Sequence, residues 1–244
     1  MSHQLNHFDS IARIYDILAK LVFADSIQKS QQQCIQSIRN AYNILWIGGG
    51  SGQGLAHLLL ANPDAHIDYI EASYKMMCLA QDALKKNTHI TTQDYERVHW
   101  HHATHEILYQ AEFKQKITGF DHIVTFFFLD VLNVQELEEL MAQIEQKYSY
   151  QPSACSAHTS DQKKQANPHT PLYTQWHWID FYDQGYSWQK FLLWVMYRFF
   201  AYTCRLQNQT LINFSSHFQK RRWKLDRHAI YIKGFIRSET YRWT

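Results

Sequence analysis

Five of the chain's eight glycines lie within seven residues, at positions 48–54. This segment follows an apolar run, 44–47, and precedes a helix-like stretch that begins at Leu55. A glycine turn between a strand and a helix exposes backbone N–H groups, and without side chains a ligand can approach the main chain closely. The segment therefore predicts a site that holds a nucleotide-like ligand against the backbone.

The spacing of these glycines separates classes of ligand. Dinucleotide-binding folds need G-x-G-x-x-G, and the third glycine is missing whether the motif starts at Gly48 or at Gly50. The Gly-Lys-Ser/Thr ending of a phosphate-binding P-loop is absent as well. The chain instead offers Gly48-x-Gly50-x-Gly52, with Glu71 at the end of the next predicted strand. A carboxylate at that place can accept hydrogen bonds from both hydroxyls of a ribose.

The elements that must position these residues alternate between strand and helix. Helices of 10–15 residues between strands are typical of βαβ units and so of a parallel sheet. The last two predicted strands, 227–232 and 235–243, flank Lys233-Gly234 and indicate an antiparallel hairpin. The other predicted strands are 44–47, 66–71, 98–101, 120–128 and 176–181, and the predicted helices are 8–23, 27–42, 53–61, 74–86, 134–148 and 188–206.

The chain is predicted to form a single domain, 1–244, with three additions to the sheet. Residues 1–42 form a helical N-terminal arm. A flexible insertion is predicted at 149–172, because 151–171 contain no Val, Ile, Leu, Met or aromatic residue and cannot offset ordering entropy by apolar burial. A helical cover is predicted at 188–222. Its first helix is apolar nearly all round and needs two partners: the sheet, and then the arm, a bound apolar substrate, a second subunit or a membrane surface.

Bulk properties exclude several classes of protein. A formal net charge of +2 gives no broad basic surface for nucleic acid, and the basic cluster 220–224 is interpreted as a solvated helix end. Four cysteines without paired spacing fit reduced thiols in the cytoplasm. The N-terminus lacks the features of a signal peptide, and the longest apolar stretch, 191–204, is too short to span a bilayer.

His99 and His101 would share a strand face, but no other ligand completes the set, so no metal is predicted.

The glycine turn, the acidic strand end and the seven strands together resemble the class I S-adenosylmethionine-dependent methyltransferases, and among them a group of small bacterial enzymes. The resemblance covers nearly the whole chain apart from 151–171. It implies an α/β fold, a Rossmann-like seven-stranded, mostly parallel sheet with an antiparallel C-terminal hairpin and helices on both faces. The segments that carry it are 47–52, 69–76, 125–130, 178–181 and 234–238.

The resemblance also implies S-adenosylmethionine as the cofactor, S-adenosylhomocysteine as the product, and a set of residues that bind the cofactor. Gly48, Gly50 and Gly52 would contact its methionine portion, and Glu71 its ribose. The adenine would be lined by Ala72, Ser73 and Met76 on one side and by Ala103 and Thr104 on the other. The transferable methyl would lie near Thr125 and Phe126, and Tyr15 in the arm would reach the cofactor carboxylate or cover the substrate.

One position departs from the family's pattern. The family usually has an acidic residue two positions before the first glycine, where it helps to hold the amino group of the cofactor, and this chain has Trp46. Two interpretations follow. In the first, backbone carbonyls hold the amino group; in the second, the chain has lost cofactor binding and is a non-catalytic binding protein on a methyltransferase scaffold.

The predicted function is methyl transfer by in-line displacement to the oxygen or carbon of a small, apolar or aromatic acceptor. The enzyme would act chiefly by alignment and by exclusion of water. Asp180, His177 and Asp130 are the candidate catalytic bases, although Asp130 could instead cap the following helix. Homodimer or membrane-surface contact is considered for 188–206. A nucleic-acid or protein methyltransferase is a further alternative, which the absence of an Asn/Asp-Pro-Pro-Tyr signature disfavours.

Overall fold

The computed structural model describes residues 12–116, 119–148, 173–190, 193–194 and 211–244, with the backbone alone at 12–24, 114–116 and 147–148. The predicted insertion at 149–172 and most of the predicted helix 188–206 lie outside the described residues. The side chain of Tyr15 lies outside them too.

The described residues form a seven-stranded sheet with the order β3-β2-β1-β4-β5-β7-β6. The first five strands are parallel, and β7 is antiparallel to both β5 and β6. The predicted fold class, a mostly parallel sheet with an antiparallel C-terminal pair, is confirmed. The strands are β1 Asn43–Ile47, β2 His66–Glu71, β3 Val98–His102, β4 His122–Phe126, β5 Gln175–Phe181, β6 Trp223–Tyr231 and β7 Ile236–Trp243.

Seven α-helices with described bounds connect or flank these strands: α1 Ala12–Ser37, α2 Leu55–Ala61, α3 Tyr74–Lys86, α4 Thr92–Glu96, α5 Ala111–Lys116, α6 Val134–Gln143 and α7 Phe214–Gln219. Residues 187–190 and 193–194 are helical as well. A π-helical turn, Ile144–Tyr148, continues α6. The described parts of the two helices predicted at 8–23 and 27–42 belong to one continuous helix, α1, because the residues between them include neither glycine nor proline to interrupt it. This helix ends at Ser37, so the predicted end at 42 is wrong.

The central strands are buried on both faces, as parallel strands between helices usually are. Successive residues of β1 alternate between two apolar clusters: Ile44 and Trp46 face the layer that contains α1, α2 and α3, whereas Leu45 and Ile47 face the layer of α6 and α7. Every side chain of β4 is buried as well. Because β1, β2, β4 and β5 are parallel, their carboxyl ends lie along one edge of the sheet.

Two further predicted boundaries are wrong. The fourth strand ends at Phe126, not 128, because Phe127 has a left-handed backbone (φ 52°) that turns the chain across the sheet edge. The sixth strand begins at Trp223, so Lys224 belongs to β6 and not to a helix end. Arg221 is not solvated as predicted, since it forms ion pairs with Glu138 and Glu145.

Candidate functional site

The glycine turn between β1 and α2 leaves open space over its centre. The backbone N–H groups of Gly48 and Gly49 donate to the carbonyl of Ile70, at 2.9 and 3.2 Å, and so fix the turn to β2. Gly50 has a φ of +61°, which side chains of L-residues disfavour, and a Cβ at this position would have no neighbour within 4 Å. A ligand can therefore lie directly against the backbone at Gly50.

An aromatic layer, formed by Tyr69, Trp46 and Phe126, packs against the glycine turn. The hydroxyl of Tyr69 donates to the carbonyl of Gly50 at 2.9 Å, and a Cβ at Gly49 would collide with the Tyr69 ring. Trp46 is 1% exposed, and its ring centroid lies 5.7 Å from that of Tyr69 and 5.5 Å from that of Phe126. The position where the resembling family usually has a carboxylate is thus filled by an indole packed between two other rings.

Glu71 ties the glycine turn to the start of α3. Its Oε2 accepts a hydrogen bond from the N–H of Gly50 at 2.7 Å, and its Oε1 accepts one from the N–H of Ser73 at 2.7 Å. The side chain is 8% exposed, and burial raises its pKa above the usual range. The N–H of Ala72 also interacts with this carboxylate. Because a carboxylate offers about four acceptor sites, Glu71 keeps the capacity to accept a hydrogen bond from a ligand hydroxyl.

The residues predicted around an adenine flank Glu71. Ser73 caps α3, because its hydroxyl accepts from the N–H of Met76 at 3.3 Å. The N–H of Ala103 donates to the carbonyl of Glu71 at 3.1 Å, which fixes the end of β3 beside that of β2. The Thr104 hydroxyl faces outward and donates to Glu106 at 3.2 Å. The fold therefore brings the predicted adenine-binding segments together at one edge, with Ala72 and Met76 half-buried between them.

The end of β4 lies beside the glycine turn, since Thr125 is paired with Ile47. The Thr125 hydroxyl is fully buried and accepts from Trp176 Nε1 at 2.9 Å, and Phe126 is 4% exposed. Neither side chain faces open space. Phe128 lies against the turn, since a Cβ at Gly48 would collide with its ring. Three consecutive phenylalanines did not by themselves indicate which one would take this place.

Two of the three predicted catalytic residues meet at the ends of β4 and β5. Asp180 is 0% exposed; its Oδ2 accepts from the N–H of Asp130 at 3.2 Å, and its Oδ1 accepts from the N–H of Phe181 at 2.9 Å. Oδ1 of Asp130 is buried and has no hydrogen-bond partner among the described residues. The alternative role of Asp130 as a helix cap is wrong, because Asn133 caps α6.

His177 is not brought to this edge. It lies near the start of β5 in the interior, with its Nε2 2.9 Å from Nδ1 of His122 and its Nδ1 3.0 Å from the Thr240 hydroxyl. Burial and the charge of His122 and Arg227 hold its pKa well below the usual range. The prediction of His177 as a base for the ligand edge therefore finds no support in the geometry.

His99 and His101 do lie on one face of β3, as the alternation predicts, and both approach a third residue. Asp68 Oδ1 lies 2.7 Å from His101 Nε2 and 3.6 Å from His99 Nδ1. No set of three or more histidine, cysteine, aspartate or glutamate side chains in the described part of the chain could hold a metal ion. This cluster is a pairing between neighbouring strands.

No family model and no curated protein matches the chain, but solved structures do. The pyocyanin biosynthetic protein PhzM is similar over 100% of this chain and 61% of its own length, with a TM-score of 0.60 and 13% identity. The mitomycin 7-O-methyltransferase MmcR is similar over 99% of this chain and 60% of its own, with a TM-score of 0.60 and 15% identity. DhpI, solved as a complex with SAH, is similar over 98% of this chain and 94% of its own, with a TM-score of 0.57 and 10% identity.

These similarities, together with the strand order 3-2-1-4-5-7-6, establish the fold class: the chain has the fold of the class I S-adenosylmethionine-dependent methyltransferases. It spans about three fifths of the length of PhzM and MmcR, and nearly all of DhpI. Within the described residues, no helix combines the length and apolarity needed to cross a membrane.

Proposed function

We propose that this protein binds S-adenosylmethionine and transfers its methyl group to a small-molecule acceptor. The observation that carries the proposal is the pairing of two features at one edge: an open backbone at Gly50 and, hydrogen-bonded to it, a buried carboxylate with lone pairs to spare at Glu71. The first allows close approach of the ligand, and the second suits the two hydroxyls of a ribose.

The residues present fit this cofactor. Gly48, Gly50 and Gly52 would hold its methionine portion and Glu71 its ribose, with Ala72 and Ala103 on either side of the adenine. Trp46 supplies no charge for the amino group, so backbone carbonyls of the turn would have to accept its hydrogen bonds. When bound, the cofactor supplies a methyl group on a sulfonium, which is a good leaving group. The protein's own contribution is to align the acceptor and to exclude water.

We propose a small apolar or aromatic acceptor. PhzM and MmcR, which share the fold, act in pyocyanin biosynthesis and on mitomycin respectively, as their names state. In this chain, aromatic side chains gather after the end of β5: Trp188 is 38% exposed and its ring centroid lies 5.5 Å from that of Phe235, and Trp194 is 59% exposed. Exposed rings beside the ligand edge favour an acceptor that is itself apolar.

Calorimetric titration with S-adenosylmethionine and S-adenosylhomocysteine, with NADH as a comparison, tests cofactor binding. We expect micromolar dissociation constants for the two sulfur compounds, on the order of −8 kcal/mol, and no heat with NADH. Gly50→Val should abolish binding, because its side chain would occupy the open space over the turn. Gly185→Val is the matched control: Gly185 also has a positive φ and an open Cβ position, but it lies outside the turn.

The second candidate function, a non-catalytic binding protein, is favoured by the indole at Trp46. The two candidates separate in the same experiments. A protein that binds neither sulfur compound, although Gly50→Val and wild type are equally folded, would contradict methyl transfer and leave the scaffold role. Binding of both compounds, lost in Gly50→Val and kept in Gly185→Val, supports the enzyme.

A further inference from the structure

We propose that Asp130 takes the proton from a hydroxyl group of the methyl acceptor, and that Asp180 is the positioning residue that holds Asp130 at the sheet edge. The acceptor would then be a phenol-like or other acidic hydroxyl, and the reaction an O-methylation. This inference rests on the proposed methyl transfer.

The carboxyls of Asp130 and Asp180 lie at the ends of two neighbouring strands. Asp180 is the next-to-last residue of β5, and Asp130 lies in the short 3-10 turn Leu129–Val131 that follows β4. In open α/β sheets, ligands bind at the carboxyl ends of the strands. β4 is also the neighbour of β1, whose end carries the glycine turn. The pair therefore lies on the same edge of the sheet as the proposed cofactor site.

The two carboxyls differ in their hydrogen bonds. Both oxygens of Asp180 accept backbone N–H groups, one from Asp130 and one from Phe181, so this side chain fixes the turn to the end of β5. In the part of the chain that the structure describes, the Asp130 carboxyl accepts only within its own turn, from the backbone N–H groups of Asp130 and Val131. Its Oδ1 is buried without a partner among the described residues, and the helix-capping role is filled by Asn133. A buried carboxylate oxygen without a donor is costly unless a ligand supplies one.

A second unpartnered polar atom lies on the face of β5 that carries Asp180. Trp178 is 0% exposed, its Nε1 has no acceptor among the described residues, and alternation along the strand places it on the face of Asp180. The strand β5 and the turn after β4 thus carry an unpartnered hydrogen-bond donor and an unpartnered acceptor. A hydroxyl is the small group that accepts from the first and donates to the second, whereas an aromatic carbon acceptor does neither.

The proton affinity of the pair suits this role. Burial raises the pKa of Asp130 to about 7, and burial together with the charge of Asp130 holds the pKa of Asp180 well above its usual range. Asp130 is the charged side chain that acts on Asp180. A base whose pKa lies near the working pH combines a populated ionised form with a useful driving force for proton transfer.

The step balances as follows. The O–H bond of the acceptor breaks, and its proton passes to Oδ1 of Asp130. The oxygen lone pair forms the bond to the methyl carbon that the bound cofactor supplies, and the electrons of the broken C–S bond stay on sulfur. Asp180 keeps its two hydrogen bonds throughout, so the side chain of Asp130 keeps its position at the edge of the sheet.

The first test needs no acceptor. In the ligand-free protein with 13Cγ-labelled aspartate, NMR titration should show a carboxyl that titrates near pH 7. This titration should disappear in Asp130→Asn and persist in Asp180→Asn and in Asp64→Asn, a control at an exposed loop. Asp121, whose pKa burial raises to about 6, should titrate in all of these proteins and serves as an internal reference. The proposal is overturned if Asp130→Asn removes no titration near pH 7, or if that titration disappears in Asp180→Asn and persists in Asp130→Asn.

The second test measures methyl transfer to a panel of phenols and, for comparison, indoles. Asp130→Asn should lower kcat for phenols by about 10²–10⁴-fold and remove the acidic limb of the pH profile, with the dissociation constant for S-adenosylhomocysteine unchanged. Asp180→Asn should lower kcat but keep that limb. Equal turnover of phenols by wild type and Asp130→Asn overturns the base while the methyltransferase stands. Absence of S-adenosylhomocysteine binding overturns the proposed function, and the NMR titration then decides the carboxyl pair separately.

Discussion

At the scale of single residues, Trp46 is the position where the chain departs most from the family it resembles. The substitution of an aromatic for a carboxylate looks like the loss of a ligand contact. The structure shows that it belongs to a packed layer with Tyr69 and Phe126. Because Tyr69 also donates to the carbonyl of Gly50, the aromatic layer helps to hold the backbone of the glycine turn in its conformation.

Restoring the acid should therefore damage the protein. We expect Trp46→Asp to lower the free energy of unfolding by about 3–5 kcal/mol, because it removes a buried ring and buries a carboxylate without a partner. Trp46→Phe keeps an aromatic ring in the layer and should cost less than half as much. Urea denaturation of both variants measures the difference. A Trp46→Asp protein that is as stable as wild type and binds S-adenosylmethionine more tightly would refute this account of the aromatic layer.

At the scale of elements, a network of charged side chains fastens α6 to the segment between α7 and β6. Nη1 of Arg221 lies 2.6 Å from Glu145 and Nη2 contacts Glu138, while Trp223 Nε1 donates to Glu145 at 2.9 Å. His217 also contacts Glu138. The network holds the helix that follows the Asp130 turn, because α6 begins four residues after Asp130.

Arg221→Ala should destabilise the protein by about 1–2 kcal/mol, since the arginine is only 22% exposed and its loss leaves the partly buried Glu145 with one donor. Lys220→Ala, at the neighbouring exposed position, should have almost no effect. Thermal unfolding followed by circular dichroism compares the two. Equal melting temperatures for both variants would show that the ion pairs contribute nothing measurable.

At the scale of the whole molecule, a buried histidine pair joins β4 to β5 in the interior. Burial lowers the pKa of His122 to about 4 and holds that of His177 well below its usual range, so both are neutral in the folded protein. In the unfolded chain, both titrate near pH 6.5. Their contribution to stability is therefore present above about pH 6.5 and lost as the pH falls toward 4. Asp121 and Asp130, with raised pKa values, act in the opposite direction.

A comparison of variants separates these opposing effects. Between pH 7 and pH 5, His122→Gln should lose less unfolding free energy than wild type, by about 2 kcal/mol, because one pKa unit corresponds to about 1.4 kcal/mol. An exposed control, His57→Gln, should follow wild type. The measurement is urea denaturation of all three proteins at both pH values. Parallel pH dependence of wild type and His122→Gln would mean that the pair accepts protons without loss of the fold.

Much of the architecture could be predicted from the sequence. The glycine turn, the boundaries of β2 and α3 and the antiparallel hairpin follow from local chemistry: glycine spacing, apolar alternation and a turn at Lys233-Gly234. The early end of β4 was not readable, because the left-handed backbone at Phe127 is imposed by tertiary packing on a residue type that disfavours it. The short helices α4 and α5 were missed for lack of a periodic apolar stripe, whereas α7 lies within the predicted helical cover 188–222.

The candidate site divides in the same way. The sequence by itself determined that a carboxylate would stand opposite a glycine turn, because residue type and spacing along two adjacent parallel strands are sufficient for that. Only the tertiary structure decided that His177 lies in the interior, that Trp46 belongs to a packed layer, and that Asp130 and Asp180 share one edge. These depend on which strands are neighbours and in what register, and register arises from side-chain packing across the whole sheet and not from any local run of residues.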